Sequence, residues 1–198
     1  MKPTLIALMM SAAALVAAPA FADGEKPVAG TYVFDPDHSA AAFEYEHMGF
    51  SNSFGLVRGI TGQITLDPED PSKSSVEASF PLSSLLTVAA TLDGHARGKD
   101  LFDNEDGTEV VTFKSKQVTV KDDDEAEVLG DLTLNGVTKE VTLDVDLKKA
   151  GMHPMLNKPT VGFEAETEIK RSDFGLGLYA PAVGDEVEVK ISVEASQQ

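Results

Sequence analysis

Leu129–Val145, LGDLTLNGVTKEVTLDV, decides the fold. Leu132 and Leu134 alternate with polar residues before Asn135-Gly136, and Val141, Leu143 and Val145 alternate with Thr142 and Asp144 after it. Successive side chains on a β-strand point to opposite faces, so each arm has one apolar and one wet face. Asn-Gly readily takes the positive φ angles that a two-residue hairpin turn requires. The segment reads as two amphipathic strands folded about that turn, with a dry interior on one side and water on the other.

The rest of the chain repeats the pattern. Tyr32–Asp35 reads as a first strand, ended by Asp35-Pro36-Asp37. Ala41, Phe43, Tyr45 and His47 alternate with Glu44 and Glu46. Phe54–Leu66 reads as one longer strand region, and Gly55, Gly59 and Gly62 within it suggest bulges or sharp coiling. Val76, Ala78, Phe80 and Leu82 form another alternating run, and Val111–Val120 the next, followed by a solvated tip at Lys121–Glu125. Beyond the Asn-Gly hairpin, Val161, Phe163, Ala165, Thr167 and Ile169 alternate with glutamates, as do Val187, Val189, Ile191 and Val193 with Glu188, Lys190 and Glu194. Leu92–Phe102 breaks the alternation and predicts a short helix capped by Thr91. These runs predict an all-β fold, a single extended antiparallel β-barrel of about eight strands with one or two short helices.

Met1–Ala22 has the layout of a secretory signal peptide: Lys2, an apolar run from Leu5 to Ala20, and an A-x-A site at Ala20-Phe21-Ala22. The run is short for a membrane span, which needs roughly 20 apolar residues. No Cys follows the site, which argues against a lipid anchor. Residues 23–198 then form one domain, without internal repeat or linker, exported to the periplasm. The chain contains no Cys, which excludes disulfides, thiol catalysis, Cys-based zinc sites and covalent haem. Its formal charge is −17, and loss of Lys2 with the signal segment takes this to −18. That balance opposes nucleic acid and anionic lipid head groups as partners.

Three groups of residues carry candidate chemistry. His47 continues the apolar face of Phe43 and Tyr45, as a core histidine bonded to backbone or as a polar anchor for a ligand. His95, Arg97, Lys99 and Asp100 cluster in the helical segment before Leu101 and Phe102, as a solvated surface or as a contact for a polar head group. Phe113 and Ser115 share a face, so Ser115 is a candidate inward hydroxyl. Phe80, Phe113, Phe163 and Phe174 are plain core or the lining of a cavity, since periodicity does not distinguish a filled barrel from a hollow one. Enzyme motifs fail: there is no G-x-S-x-G, H-E-x-x-H or P-loop. A calcium loop around Asp103–Gly107 would need Phe102 and Phe113 as ligands. His38, His47, His95 and His153 lack metal-ligand spacing. No cofactor and no metal is expected.

The sequence resembles the YceI-like proteins of bacteria over nearly all of residues 23–198. GDLTLNGVTKEVTL at 130–143 and VGFEAETEIKRSDFGL at 161–176 carry the likeness most specifically. His47-Met48-Gly49, the Gly59–Asp67 strand and His95-x-Arg97-x-x-Asp100-Leu101-Phe102 add to it. The resemblance implies a lipocalin-like barrel with an elongated apolar cavity, and an exported carrier of a long-chain amphiphile, a polyisoprenoid or fatty-acid derivative, rather than an enzyme. The expected ligand-binding residues are Phe43, Tyr45, His47, Phe80, His95, Arg97, Phe102, Phe113, Ser115 and Phe163. No stable membrane insertion is expected, and a homodimer is left open. The competing readings are a non-binding structural or stress protein with a filled barrel, and an enzyme acting on a lipid or quinone. Ala96 stands where the family commonly has Leu, and Gly94 and Gly98 loosen the helical element.

Protein recovered from the periplasm is expected to begin at Asp23, read by N-terminal sequencing or intact mass; a retained Met1 would show that the segment is not cleaved.

Overall fold

The computed structural model describes residues 26–99 and 101–198; residues 1–25, with the expected signal peptide at Met1–Ala22, and Asp100 lie outside the described residues. The strands are β1 (Gly30–Phe34), β2 (Ala40–His47), β3 (Ser51–Arg58), β4 (Thr61–Leu66), β5 (Ser75–Pro81) and β6 (Leu85–Thr87), then β7 (Val110–Val120), β8 (Glu125–Leu134), β9 (Val137–Met152), β10 (Pro159–Lys170) and β11 (Glu186–Gln197). One α-helix, α1 (Ala90–Arg97), lies between β6 and β7. Among the described residues no helix is long and apolar enough to cross a membrane.

Eleven segments make an eight-stranded wall. β11 pairs on one side with β10, and on the other with β1 near its C-terminus and with β2 near its N-terminus. β1 and β2 are thus two halves of one strand. β4 continues along β1 where β3 leaves β2, and β5 continues along β4 where β6 leaves β3. The ring then runs β5, β7, β8, β9, β10, β11 and closes on β1, antiparallel throughout.

The three broken strands share one crease. Asp35–Ser39 breaks the first, Gly59-Ile60 the second, and a 3-10 turn at Leu82–Ser84 the third. The Ile60 amide donates to the Ser39 carbonyl at 3.2 Å, which ties the first two breaks together. Gly59 has φ +66°, which a β-branched residue resists. The region expected as one strand, Phe54–Leu66, is therefore two, with Gly59 at the corner. Gly62 has a different role: a Cβ there would lie 2.2 Å from the Glu77 carbonyl oxygen, so only Gly lets β4 approach β5. A dense core fills the crease and the closure, centred on Tyr32, Phe34, Val57, Ile60 and Val161.

The Asn-Gly turn forms as the sequence predicts. Leu134 pairs with Val137, and Asn135 and Gly136 have φ +52° and +66°, a type I′ hairpin. The turn is also anchored: Asn135 Nδ2 donates to the Phe174 carbonyl at 2.9 Å, and the Gly136 amide donates to Glu109 Oε1 at 3.0 Å. The helix differs at its start from the expected cap. Thr91 lies inside α1, whose N-cap is Ala89 with no side-chain cap bond. Asp93 takes over the anchoring, accepting from the Thr87 amide and hydroxyl at 2.6 and 2.7 Å.

Gly136→Val is expected to lower stability by about 1–2 kcal/mol, because a β-branched residue does not tolerate this φ. Denaturant unfolding measures it, and an unchanged midpoint would mean the turn relaxes to another type.

Candidate functional site

The inward phase of the strands does not close on itself. A cavity of about 790 Å³ runs through the barrel, lined along β9 to β11 by alternating residues, such as Leu143 and Val145 of β9 or Val189 and Ile191 of β11. This volume lies within the range of small-molecule sites. The filled-barrel reading therefore gives way to a hollow one.

Glycines keep it hollow. Phe43 pairs with Gly55 across β2 and β3, and a Cβ on Gly55 would lie 1.9–2.6 Å from three atoms of the Phe43 ring. The ring covers the space that any other residue would fill. Phe113 does the same over Gly130, where a Cβ would meet its ring at 2.3 Å. Aromatic rings laid over cross-strand glycines line a wall without crossing the lumen. Tyr45 stacks beside Phe43, with ring centroids 6.5 Å apart and planes 12° from parallel.

Polar side chains gather where β2, β6, β10 and α1 end: His47, Ser53, Thr87, His95 and Arg171 all border the cavity there. His47 ends β2 and bridges to Val183 in the loop before β11. His95 of α1 stacks on Tyr179 of the same loop, centroids 6.2 Å apart. Arg171 holds that loop from within. Its Nε donates to the Gly184 carbonyl at 2.8 Å, one terminal nitrogen to Leu178 at 2.8 Å and to Leu176, and the other to Val183 at 2.7 Å. Asp185 pins the start of the loop, accepting from the Ser172 amide at 2.9 Å and hydroxyl at 2.6 Å. Those bonds hold the Asp185 carboxyl below the usual carboxylate range, and the Thr87 bonds do the same for Asp93.

Of the expected ligand-binding residues, the structure brings Phe43, Tyr45, His47, Phe80, His95, Phe102, Phe113 and Phe163 to the cavity wall. Arg97 and Ser115 do not line it. Arg97 sits on the flank of α1, with its carbonyl accepting the Asn104 amide at 2.9 Å. The Ser115 hydroxyl accepts the Val76 amide at 2.8 Å, because the β7–β8 register shifts between Ser115 and Gln117 and the regular alternation stops there. Sequence reasoning missed Arg171 and Tyr179. The signal for Arg171 was present: it continues the phase of Phe163, Ala165, Thr167 and Ile169, as His47 continues that of Phe43 and Tyr45.

Among the described residues, no Asp or Glu side chain borders the cavity, and Arg171 is the one Lys or Arg that does. A closed antiparallel barrel around a largely apolar, ligand-sized lumen with two histidines and an arginine at one end defines the class: a small hollow β-barrel of the lipocalin-like kind. Residues 32–195 match the YceI-like domain model. The chain is 38% identical over 173 residues to Protein YceI of Shigella flexneri and of Escherichia coli O157:H7, covering 86% of this chain and 89% of each relative. The chain belongs to the YceI-like family. Among solved structures, BcnA of Burkholderia cenocepacia superposes with a TM-score of 0.71 at 24% identity, over 81% of this chain and 98% of that one. The YceI protein of Campylobacter jejuni gives 0.68 at 26%, over 77% and 90%. A polyisoprenoid binding domain from Saccharophagus degradans gives 0.61 at 16%, over 84% and 98%, a likeness of fold.

Gly55→Ala is expected to cost about 1–3 kcal/mol by forcing the Phe43 ring off the wall. Phe43→Ala in the same chain should recover part of that loss. A double-mutant cycle in denaturant measures the coupling, and strictly additive effects would show that ring and glycine are independent.

Proposed function

We propose that this protein is an exported, periplasmic carrier that holds a long-chain amphiphile, a polyisoprenoid or fatty-acid derivative, inside the barrel. One observation carries the reading: the lumen is largely apolar, free of carboxylates among the described residues, and holds two histidines and an arginine where α1 covers one end. An extended hydrocarbon gains about 0.8 kcal/mol for each methylene withdrawn from water, and this lumen offers that withdrawal at little cost in buried polar groups. Phe43, Tyr45, Phe80, Phe113 and Phe163 form the wall around the chain. His47, His95 and Arg171 face the head group, with Phe102 beside them. Arg97 acts on the head group through its charge alone, from outside the lumen.

The Saccharophagus domain, described as binding polyisoprenoid, shares this fold and supports the chemical class of ligand. The signal-peptide pattern of Met1–Ala22 supports export. An enzymatic role finds less support, because the lumen's histidines face no carboxylate among the described residues to orient them as general bases.

The test is native mass spectrometry of protein freshly purified from the periplasm. The expected spectrum holds a species heavier by one hydrophobic ligand; empty protein throughout would overturn the carrier reading. His47→Phe keeps the apolar wall and removes the polar anchor. It is expected to lower retained ligand roughly three- to tenfold, the worth of one hydrogen bond, with an unchanged circular dichroism spectrum. If His47→Phe unfolds the protein, the histidine belongs to the core and not to the ligand.

A further inference from the structure

Three of the stretches that carry no Asp, Glu, Lys or Arg are Met48–Val57, Leu85–Leu92 and Phe174–Gly184. The fold brings all three together at the helix end. The Met48 amide donates to the Ala182 carbonyl at 2.8 Å, and the Gly184 amide to the Glu46 carbonyl at 2.8 Å. Gly55–Val57 pair with Leu85–Thr87, and the His95–Tyr179 stack joins α1 to the third stretch. The result is an apolar patch along one side of the mouth of the lumen, a rim interrupted by Glu46 and by Asp93 and Arg97 of α1.

That rim is largely apolar and bare. Phe50 is 88% exposed and Val88 65%, and Met48, Phe54, Leu178 and Tyr179 are exposed beside them. Of these, Met48, Leu178 and Tyr179 also border the lumen, so one apolar surface runs from inside the barrel to its outside. Of the flanking carboxylates, Asp93 is turned back onto Thr87 and Glu44 onto Asn52, while Glu46 is exposed beside Gly49. The acidic Asp122–Asp124 tip and the Asp67–Asp70 turn lie at the opposite end of the barrel.

We propose that this rim seats on the surface of a phospholipid bilayer, so that the mouth opens against lipid and not against water. The inference rests on the carrier reading, and two features select a bilayer as the occupant. The rim is continuous with the lumen, so what covers it touches the chain inside. Its charged groups are few, Glu46, Asp93 and Arg97, and offer little to fix the register of a protein partner, which a fluid bilayer does not require. Aromatic and aliphatic side chains without charge favour the membrane interface.

The experiment is flotation of the protein, as recovered from cells, with vesicles of phosphatidylcholine and phosphatidylethanolamine. Wild type is expected to float with the vesicles, and to do so still at 1 M salt, where charge attraction reaches only about 3 Å. Phe50→Asp and Val88→Asp, neither of which lines the lumen, are each expected to lower the bound fraction about tenfold. Met155→Asp, 85% exposed at the opposite end, should leave it unchanged. Native mass spectra of the same samples separate the two readings: retained ligand with no flotation overturns docking alone, and flotation without retained ligand overturns the carrier alone. Docking is also overturned if Met155→Asp lowers binding as much as Phe50→Asp. It is overturned too if sedimentation shows a dimer that Phe50→Asp dissociates while vesicles bind nothing, since a second copy then covers the rim.

Discussion

Everything in this barrel depends on how β11 closes it. On one side β11 pairs with β10 from Lys170↔Glu186 to Thr160↔Ser196. On the other it must serve two short strands, β1 and β2. Closure removes the free edges that would otherwise recruit other strands. The break between β1 and β2 then propagates: β3 and β4 must break opposite it, and β5 and β6 opposite them, which gives the crease and its dense core. By β7 the upper part of the wall has no partner. β7 reaches only Pro81↔Val110, and the chain between β6 and β7, with α1, spans the remaining gap. The mouth of the lumen is thus a consequence of how the first strand is kinked.

Much of this was legible in the sequence, and the reasons it was legible mark where it stopped being so. Period-two alternation identified the inward faces of β8 to β11 because those strands are long and regular. The same logic placed His47 at the mouth, and applied one step further it would have placed Arg171 there. It failed at Ser115, where one extra residue in β7 shifts the register and turns the hydroxyl to the Val76 amide. It failed at Thr91, because Asp93 bonded to Thr87 starts the helix two residues earlier than the expected cap. The hollowness was illegible for a deeper reason. Phe43 and Phe113 read as core residues in any alternating strand, and only cross-strand pairing shows that glycines lie beneath their rings.

Charge is partitioned as sharply as polarity. The outer faces carry cross-strand pairs such as Lys148–Glu164 at 3.2 Å and Lys190–Glu166 at 3.2 Å, each exposed and each worth little singly. Their value is in keeping the outer face wet and the strands in phase, since a one-residue slip would carry carboxylates into the lumen, where an unpaired charge is costly. Among the described residues, the one Lys or Arg side chain lining the lumen is Arg171, and its hydrogen-bond partners are four backbone carbonyls of its own loop. Those bonds satisfy its donors without neutralising it. The Asp185 carboxylate at the end of the same loop feels that charge, so the guanidinium at the mouth shares its field with one carboxylate. In the carrier reading, an apolar wall tells one hydrocarbon chain from another only by length and girth, and the field of Arg171 then selects by the sign of the head group. It disfavours cationic amphiphiles and accepts neutral or anionic ones, and the acidic outer surface opposes adhesion to anionic lipid.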